Sequence, residues 1–245
     1  MWSPTWDREM DRELTSKLLV DRHLFTQIGL DSAALTMLGV LVHRFEEPGE
    51  YRGTARRGDL PEATFQVSVD PSCAVAQVTI DLATLAGEDD ACGDARRFTV
   101  HPKGYAVFRV SEGNGGYWVN VRRADEDPNV KAYDSRRLEQ GDIFSAVLLR
   151  PGRYSIENAL SKARGEVTVA YPTMGKTAYR PPAPLEAECG DTIKPKAIRL
   201  KPVQGLNIHM TASARIRITL LEPDDGPRSR PGPTTRRSRA APKKK

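Results

Sequence analysis

Cysteine is scarce in this sequence of 245 residues. Its three cysteines, Cys73, Cys92 and Cys189, lie far apart, and no C-x-x-C pair occurs. A sparse, odd number favours reduced thiols over a disulfide framework, and reduced thiols are typical of cytosolic proteins. The sequence therefore predicts a cytoplasmic location.

Long apolar runs are also lacking. The longest, residues 33–42, is interrupted by Thr36 and Gly39 and is too short to span a bilayer. The N-terminal stretch MWSPTWDREMDRE has no basic start followed by an apolar core, so it does not resemble a secretory signal. We expect no transmembrane segment.

The usual catalytic motifs are missing. The serines occur without a G-x-S-x-G elbow, no complete phosphate-binding glycine loop is present, and the four histidines show no i, i+4 pairing. We therefore favour a non-enzymatic protein with no catalytic residue and no cofactor. The alternative is a metal or redox enzyme whose site the fold assembles from dispersed side chains such as Cys73, His101, Cys189 and His209.

Positive charge is present but concentrated at one end. The net charge is +5, and residues 227–245 hold eight basic side chains and no acidic one. Clustered Lys and Arg attract phosphates and release counterions, so this tail predicts salt-dependent binding to nucleic acid or an anionic surface. A disordered, solubilising terminus is the other interpretation. The candidate nucleic-acid-binding residues are Arg228, Arg230, Arg236, Arg237, Arg239, Lys243, Lys244 and Lys245.

The first thirty residues predict an amphipathic helix. Apolar side chains recur at helical spacing between Asp7 and Ile28, and Gly29 stands where a helix commonly ends. The helix could dock a partner or a second copy of the chain, or it could cover an edge or face of the following sheet. Its apolar stripe consists of Met10, Leu14, Leu18, Phe25 and Ile28.

The middle of the chain predicts strands. Apolar and polar residues alternate in ATFQVSVD and AQVTIDL, and this period of two indicates strands with one solvated face. We predict a mainly β fold of two Greek-key-like antiparallel β-sandwich modules, separated by the polar segment 87–97. The predicted divisions are an N-terminal helix at 1–30, a first β module at 35–86, a second at 98–222 and a disordered basic tail at 223–245.

Pro-Gly-x-Tyr occurs twice, at residues 48–51 and 151–154. Because Pro followed by Gly suits a type II turn, the stretch 141–172 is predicted to form a strand, a tight turn and a strand, then a loop and another strand. The repeated motif hints that the two modules are related. The proline-rich segment after residue 172 predicts an extended connection without regular structure.

A hairpin is predicted around residues 111–116, where Gly and Asn join two alternating stretches. In the returning strand Tyr117 and Trp118 are adjacent and must face opposite ways. One of them is expected in the core. The other is expected near Arg122 or Arg123, where it could stack on a base or a sugar or pack across the strands.

Residues 98–222 resemble the cupredoxin family of Greek-key β-sandwiches. PGRY at 151–154 matches the family's Pro-Gly-x-Tyr, and GEVTV at 165–169 matches its Gly-x-Val-x-Val. The resemblance implies a β-sandwich. It implies no type 1 copper site, because Asn158 occupies the position of the family's cysteine ligand and no histidine lies between residues 101 and 209.

Together these features favour a β-sandwich protein that acts through protein–protein contacts, with a partner or in a homo-oligomeric assembly. The alternative is a nucleic-acid-associated protein that uses the basic tail and the arginine face of the last strand, residues 215–220.

Overall fold

The computed structural model describes residues 24, 26–87, 96–127, 130, 132–172 and 179–226, and these are mainly β. The predicted basic tail residues and most of the predicted N-terminal helix lie outside the described residues. Gln27 and Ile28 are not helical, and Gly29 opens a strand, so the helix does not extend to Ile28 as predicted. No helix in the described ranges is long and apolar enough to cross a membrane.

From residue 27 to 123, the described part of the chain contains eight strands and one short helix, α1 (Leu82–Gly87). The strands are β1 (Gly29–Asp31), β2 (Gly39–Arg44), β3 (Gly49–Arg57), β4 (Ala63–Val69), β5 (Gln77–Asp81), β6 (Arg96–Val100), β7 (Tyr105–Arg109) and β8 (Tyr117–Arg123).

The described residues of the second half contribute nine strands. They are β9 (Tyr133–Asp134), β10 (Ile143–Val147), β11 (Gly152–Asn158), β12 (Arg164–Val169), β13 (Leu185–Cys189), β14 (Ile193–Lys194), β15 (Ala197–Leu200), β16 (Gly205–Met210) and β17 (Ile216–Pro223). The prediction of an irregular connection after residue 172 was wrong at β13, which follows the last proline of that segment and pairs with β16 in parallel.

The strands form three sheets whose order repeats. The first flanking sheet is β6-β4-β3-β8-β9, the second flanking sheet is β15-β12-β11-β17-β1, and the central sheet is β5-β7-β2-β10-β16-β13-β14. The eight strands β1 to β8 correspond, in order, to β9, β10, β11, β12, β13, β15, β16 and β17. Corresponding pairs of strands are parallel or antiparallel in the same way in both sets. The chain therefore contains two structural repeats, with β2 and β10 joined at the middle of the central sheet.

Each repeat gives its first strand to the other. Strand β1 of the first repeat pairs with β17, and β9 of the second repeat pairs with β8. The stretches 35–86 and 98–222, predicted as separate modules, also share sheets, because β4 pairs with β6 and β3 with β8.

The Pro-Gly sequences are corners between sheets. The three strands predicted in the stretch 141–172 are present as β10, β11 and β12, but β10 lies in the central sheet and β11 in the second flanking sheet, so Pro151-Gly152 connects two sheets. Gly152 has a φ of +145°, which favours glycine, and starts β11. The Tyr154 hydroxyl then donates to the carbonyl of Arg150 at 2.6 Å, as the Tyr51 hydroxyl donates to the carbonyl of Glu47 at 2.9 Å.

The hairpin predicted around 111–116 is not formed, because β7 belongs to the central sheet and β8 to the first flanking sheet. Gly115 instead allows the backbone to pass close to Thr36, because a Cβ at Gly115 would lie 2.7 Å from the Cα of Thr36. The opposite facing of Tyr117 and Trp118 is confirmed, with Tyr117 buried and Trp118 partly exposed.

One hydrophobic core joins the three sheets. It is built from the alternating buried residues of each strand, including Leu41, Phe108 and Phe144 of the central sheet. The ring of Phe65, from the first flanking sheet, lies 6.0 Å from that of Phe108 between centroids. The other face of the central sheet carries no fully buried side chain along β2, β7 and β10, and it is called the outer face below.

Candidate functional site

The outer face of the central sheet carries an apolar strip. Cross-strand register places Val42 directly opposite both Val107 and Ile143, and Val40 lies on the same face. These four side chains are half-buried and do not belong to the hydrophobic core. Because β2 and β10 are neighbours, the strip crosses from one repeat to the other without a break.

The second-repeat edge of this face is a chain of hydrogen bonds. Ser145 Oγ donates to Asn207 Oδ1 at 2.7 Å, and Asn207 Nδ2 donates to Glu186 Oε1 at 2.9 Å. The other oxygen of Glu186 lies 2.7 Å from His209 Nε2. The hydrogen bond from His209, supported by that from Asn207, outweighs the effect of desolvation and lowers the pKa of Glu186.

This series of hydrogen bonds from Ser145 to His209 does not have the arrangement of a hydrolytic triad. A serine nucleophile needs its hydroxyl on a base, and the hydroxyl of Ser145 is bound to an amide. The adjoining open depression of about 460 Å³ is lined by Glu186, Glu188, Lys194 and His209 among others. Its lining presents hydrogen-bonding groups of both charges, with two carboxylates and one lysine.

Two arginines of the first repeat also reach the outer face, each beside a carboxylate. Arg109, at the end of β7, is half exposed and lies 3.2 Å from Asp81 of β5. Arg44, at the end of β2, is partly exposed beside Glu46 at 3.3 Å. Because β2 is the strand that carries Val40 and Val42, Arg44 lies at the end of the strip and not at the edge of the sheet.

A polar cluster lies beneath the join between the repeats. His43 Nδ1 is 2.7 Å from Asp142 Oδ1, and Asp142 Oδ2 accepts the backbone N–H of Glu139 at 2.8 Å. The His43 ring packs against Phe45 and against Tyr133, whose centroid is 4.7 Å away. Because Asp142 is buried and satisfied at both oxygens, this cluster ties β2 to the second repeat.

Tyr133 completes this cluster from strand β9. Burial, and secondarily the charges of Asp142 and Asp134, raise the pKa of Tyr133 well above its ordinary value. Its hydroxyl has no hydrogen-bond partner among the described residues. Burial and the nearby carboxylates thus both favour the neutral phenol over the phenolate.

Cys189 and His209, two residues of the predicted dispersed site, are not gathered into one site. Residues Glu188 and His209 pair across β13 and β16, as do Cys189 and Met210, so the side chains of Cys189 and His209 lie on opposite faces of the central sheet. Within the described ranges no group of three or more His, Cys, Asp or Glu residues could hold a metal ion. Burial also raises the pKa of Cys189 to about 11.

Asn158, which the sequence comparison above set against a cupredoxin cysteine, is a buried structural side chain. Its Oδ1 accepts the backbone N–H groups of Leu160 and Arg215, each at 3.0 Å, and its Nδ2 donates to the carbonyl of Ser213 at 3.1 Å. It thereby fixes the loop after β11 against the start of β17.

The predicted nucleic-acid site is placed only in part. All eight basic residues of the tail lie outside the described residues. On the last strand, Arg217 Nε lies 3.2 Å from Asp31 Oδ2, and Arg215 forms a two-pronged pair with the same carboxylate at 3.0 and 2.8 Å. The two arginines share this one carboxylate, so Asp31 balances only one of their two charges.

Comparison with protein-family models, curated proteins and solved structures finds no match for this chain.

Sequence reasoning missed the apolar strip because its strand assignments rested on alternation, which marks strands with one solvated face. The signal was the unbroken run Val40-Leu41-Val42, in which both faces of a strand are apolar. Such a run indicates a strand with two contact faces.

Proposed function

We propose that the protein is a non-enzymatic binding protein that acts through protein–protein contacts, and that it self-associates through the outer face of its central sheet. The observation that carries the proposal is the strip of Val40, Val42, Val107 and Ile143. A contiguous apolar area with a polar rim is typical of an interaction surface.

A second copy of the chain is favoured as the occupant by the position of the strip. Strands β2 and β10, which carry Val42 and Ile143, lie at the middle of the seven-stranded central sheet. A twofold axis through the middle of this face can therefore bring the strip of one copy against the strip of the other.

Size-exclusion chromatography with light scattering tests the proposal. We expect the full chain and a Thr168→Arg control to be dimers, because Thr168 is exposed on the second flanking sheet. Val42→Arg places a charge in the middle of the strip and should give a monomer with an unchanged far-ultraviolet circular dichroism spectrum.

Two results would contradict self-association through this face. One is a monomeric full chain at every concentration; the other is a dimer that survives Val42→Arg. A full chain that is monomeric but dimerises after removal of residues 1–23 would assign the strip to the N-terminal segment instead.

We also propose that each repeat is a β-sandwich whose layers are one flanking sheet and half of the central sheet. The contact between Phe65 and Phe108 across these sheets supports this arrangement. The cupredoxin resemblance of the second repeat would then concern architecture and not copper chemistry. An experimental structure, with metal analysis of the purified protein, tests both statements.

A further inference from the structure

The outward faces of the two flanking sheets carry different chemistry on the same frame. In the first flanking sheet Arg122 lies opposite Arg52, Arg52 opposite Gln66, and Gln66 opposite Arg97. The three arginines are called the arginine row. The equivalent positions in the second flanking sheet are Thr219, Ser155, Glu166 and Ala197. The duplicated frame therefore does not itself require arginine at these positions.

The positive charges of the arginine row are not paired with carboxylates among the described residues. Among the described residues neither Arg52 nor Arg122 has an ion-pair partner, although like charges directly opposite one another destabilise a sheet. Arg97 is held by a neutral group, since its Nε and Nη2 donate to Gln66 Oε1 at 3.3 and 3.0 Å. In the second flanking sheet, by contrast, Arg153 is shared between two carboxylates.

The neighbouring side chains add planar and hydrogen-bonding groups. The guanidinium carbon of Arg136 lies 4.1 Å from the ring centroid of Trp118, and that of Arg56 lies 5.5 Å from it. The hydroxyl of Thr54, between Arg52 and Arg56 on the same face, is buried and has no hydrogen-bond partner within the described ranges. Because guanidinium groups lie against the only aromatic ring of this outward face in the described residues, an apolar lipid surface is a poor fit.

We propose that the arginine row binds the phosphates of a single-stranded nucleic acid lying across the first flanking sheet. The arginine row covers three spacings between neighbouring strands, which is about 14 Å. This length exceeds the size of a small anion and suits an extended polyanion. Bases of a single strand can stack on guanidinium and aromatic planes, whereas the bases of a duplex are already stacked. This site lies on a different sheet from the self-association surface and goes beyond the proposed function.

Fluorescence anisotropy of the full chain with labelled oligothymidylate and oligouridylate, over a range of salt concentrations, tests the proposal. The test variant combines Arg52→Ser with Arg122→Thr, which are the residues that the second repeat carries at these positions. The control combines Arg164→Ser with Arg199→Thr, which removes the same charge from exposed positions of the second flanking sheet.

We expect the test variant to bind about tenfold more weakly at low salt. Losing two phosphate contacts should also reduce the slope of log affinity against log salt by about 1.4. The control should retain nearly full affinity. Circular dichroism and the dimer mass should be unchanged in both, so that failure here is distinguishable from failure of the proposed self-association.

Unchanged affinity and slope in the test variant would overturn the proposal, and so would an equal loss in the control. Loss of all binding on removal of residues 227–245, with the test variant unaffected, would assign binding to the tail alone. Equally tight binding of labelled polyglutamate would replace a nucleic acid by an acidic polypeptide as the ligand.

Discussion

Ser32 and Ser135 hold equivalent positions in the two repeats, and each is hydrogen-bonded to the last strand of the opposite repeat. Ser32 Oγ accepts the backbone N–H of Ile216 at 3.2 Å, and Ser135 Oγ accepts that of Val119 at 2.9 Å. Both serines are fully buried. They lie in a repeated Asp-Ser-x-x-Leu sequence, in which Leu35 pairs with Tyr117 of β8 and Leu138 pairs with Ala214, just before β17. The motif thus joins the two flanking sheets.

Replacing either serine by alanine should destabilise the protein by about 1–3 kcal/mol, because a buried N–H loses its acceptor. Denaturant unfolding of Ser32→Ala and Ser135→Ala measures this cost. The control is Ser155→Ala, since the hydroxyl of Ser155 makes only a 3.4 Å contact. Costs no larger than the control's would show that these hydrogen bonds contribute nothing to the joining of the repeats.

The two tyrosines at the Pro-Gly corners should contribute alike. Tyr51→Phe and Tyr154→Phe each remove one hydroxyl that donates to a backbone carbonyl, so each should cost about 1 kcal/mol of unfolding free energy. The exposed Tyr171 provides a control, Tyr171→Phe, which should cost close to zero. Clearly unequal costs for Tyr51 and Tyr154 would contradict the equivalence of the two corners.

The pair between Asp31 and Arg215 should make stability depend on acid. Burial raises the pKa of Asp31, but hydrogen bonds from Arg215, the backbone of Ala33 and Arg217 outweigh it, so that the pKa is lowered. A lowered pKa stabilises the fold at neutral pH, and this contribution declines below about pH 4, the range of an unfolded Asp.

Asp31→Asn should therefore destabilise the protein by about 1–2 kcal/mol at pH 7. Unfolding curves of both proteins between neutral and acidic pH measure the difference, which should shrink as the pH falls through the lowered pKa. A difference that stays constant with pH would mean that the charge of Asp31 is irrelevant.

Cys189 should resist thiol reagents until the protein unfolds. It is fully buried, and burial raises its pKa to about 11, so at pH 8 the reactive thiolate is scarce as well as inaccessible. Mass spectrometry after alkylation should find Cys189 unmodified in the native protein and modified in denaturant, while the partly exposed Cys73 reacts in both. Rapid native labelling of Cys189 would show that the edge around β13 opens.

Much of the strand content could be predicted from the sequence, because alternation in ATFQVSVD records one buried face directly. The strands that pair with one another could not be predicted, since the glycines of residues 111–116 are equally suited to a hairpin and to the observed crossing between sheets. The Pro-Gly-x-Tyr echo did indicate the relation between the halves. The arginine row could not be found from spacing, because residues 52, 97 and 122 become neighbours only through three strand pairings.

The exchange of β1 and β9 bears on what one half of this chain could do alone. A polypeptide consisting of residues 29–123 would carry β1 without β17 and β8 without β9. Two such polypeptides could satisfy both edges by donating their leading strands to each other, which would reproduce the arrangement of the present molecule. In its connectivity the protein is therefore equivalent to an intertwined dimer made continuous by the segment between β8 and β9.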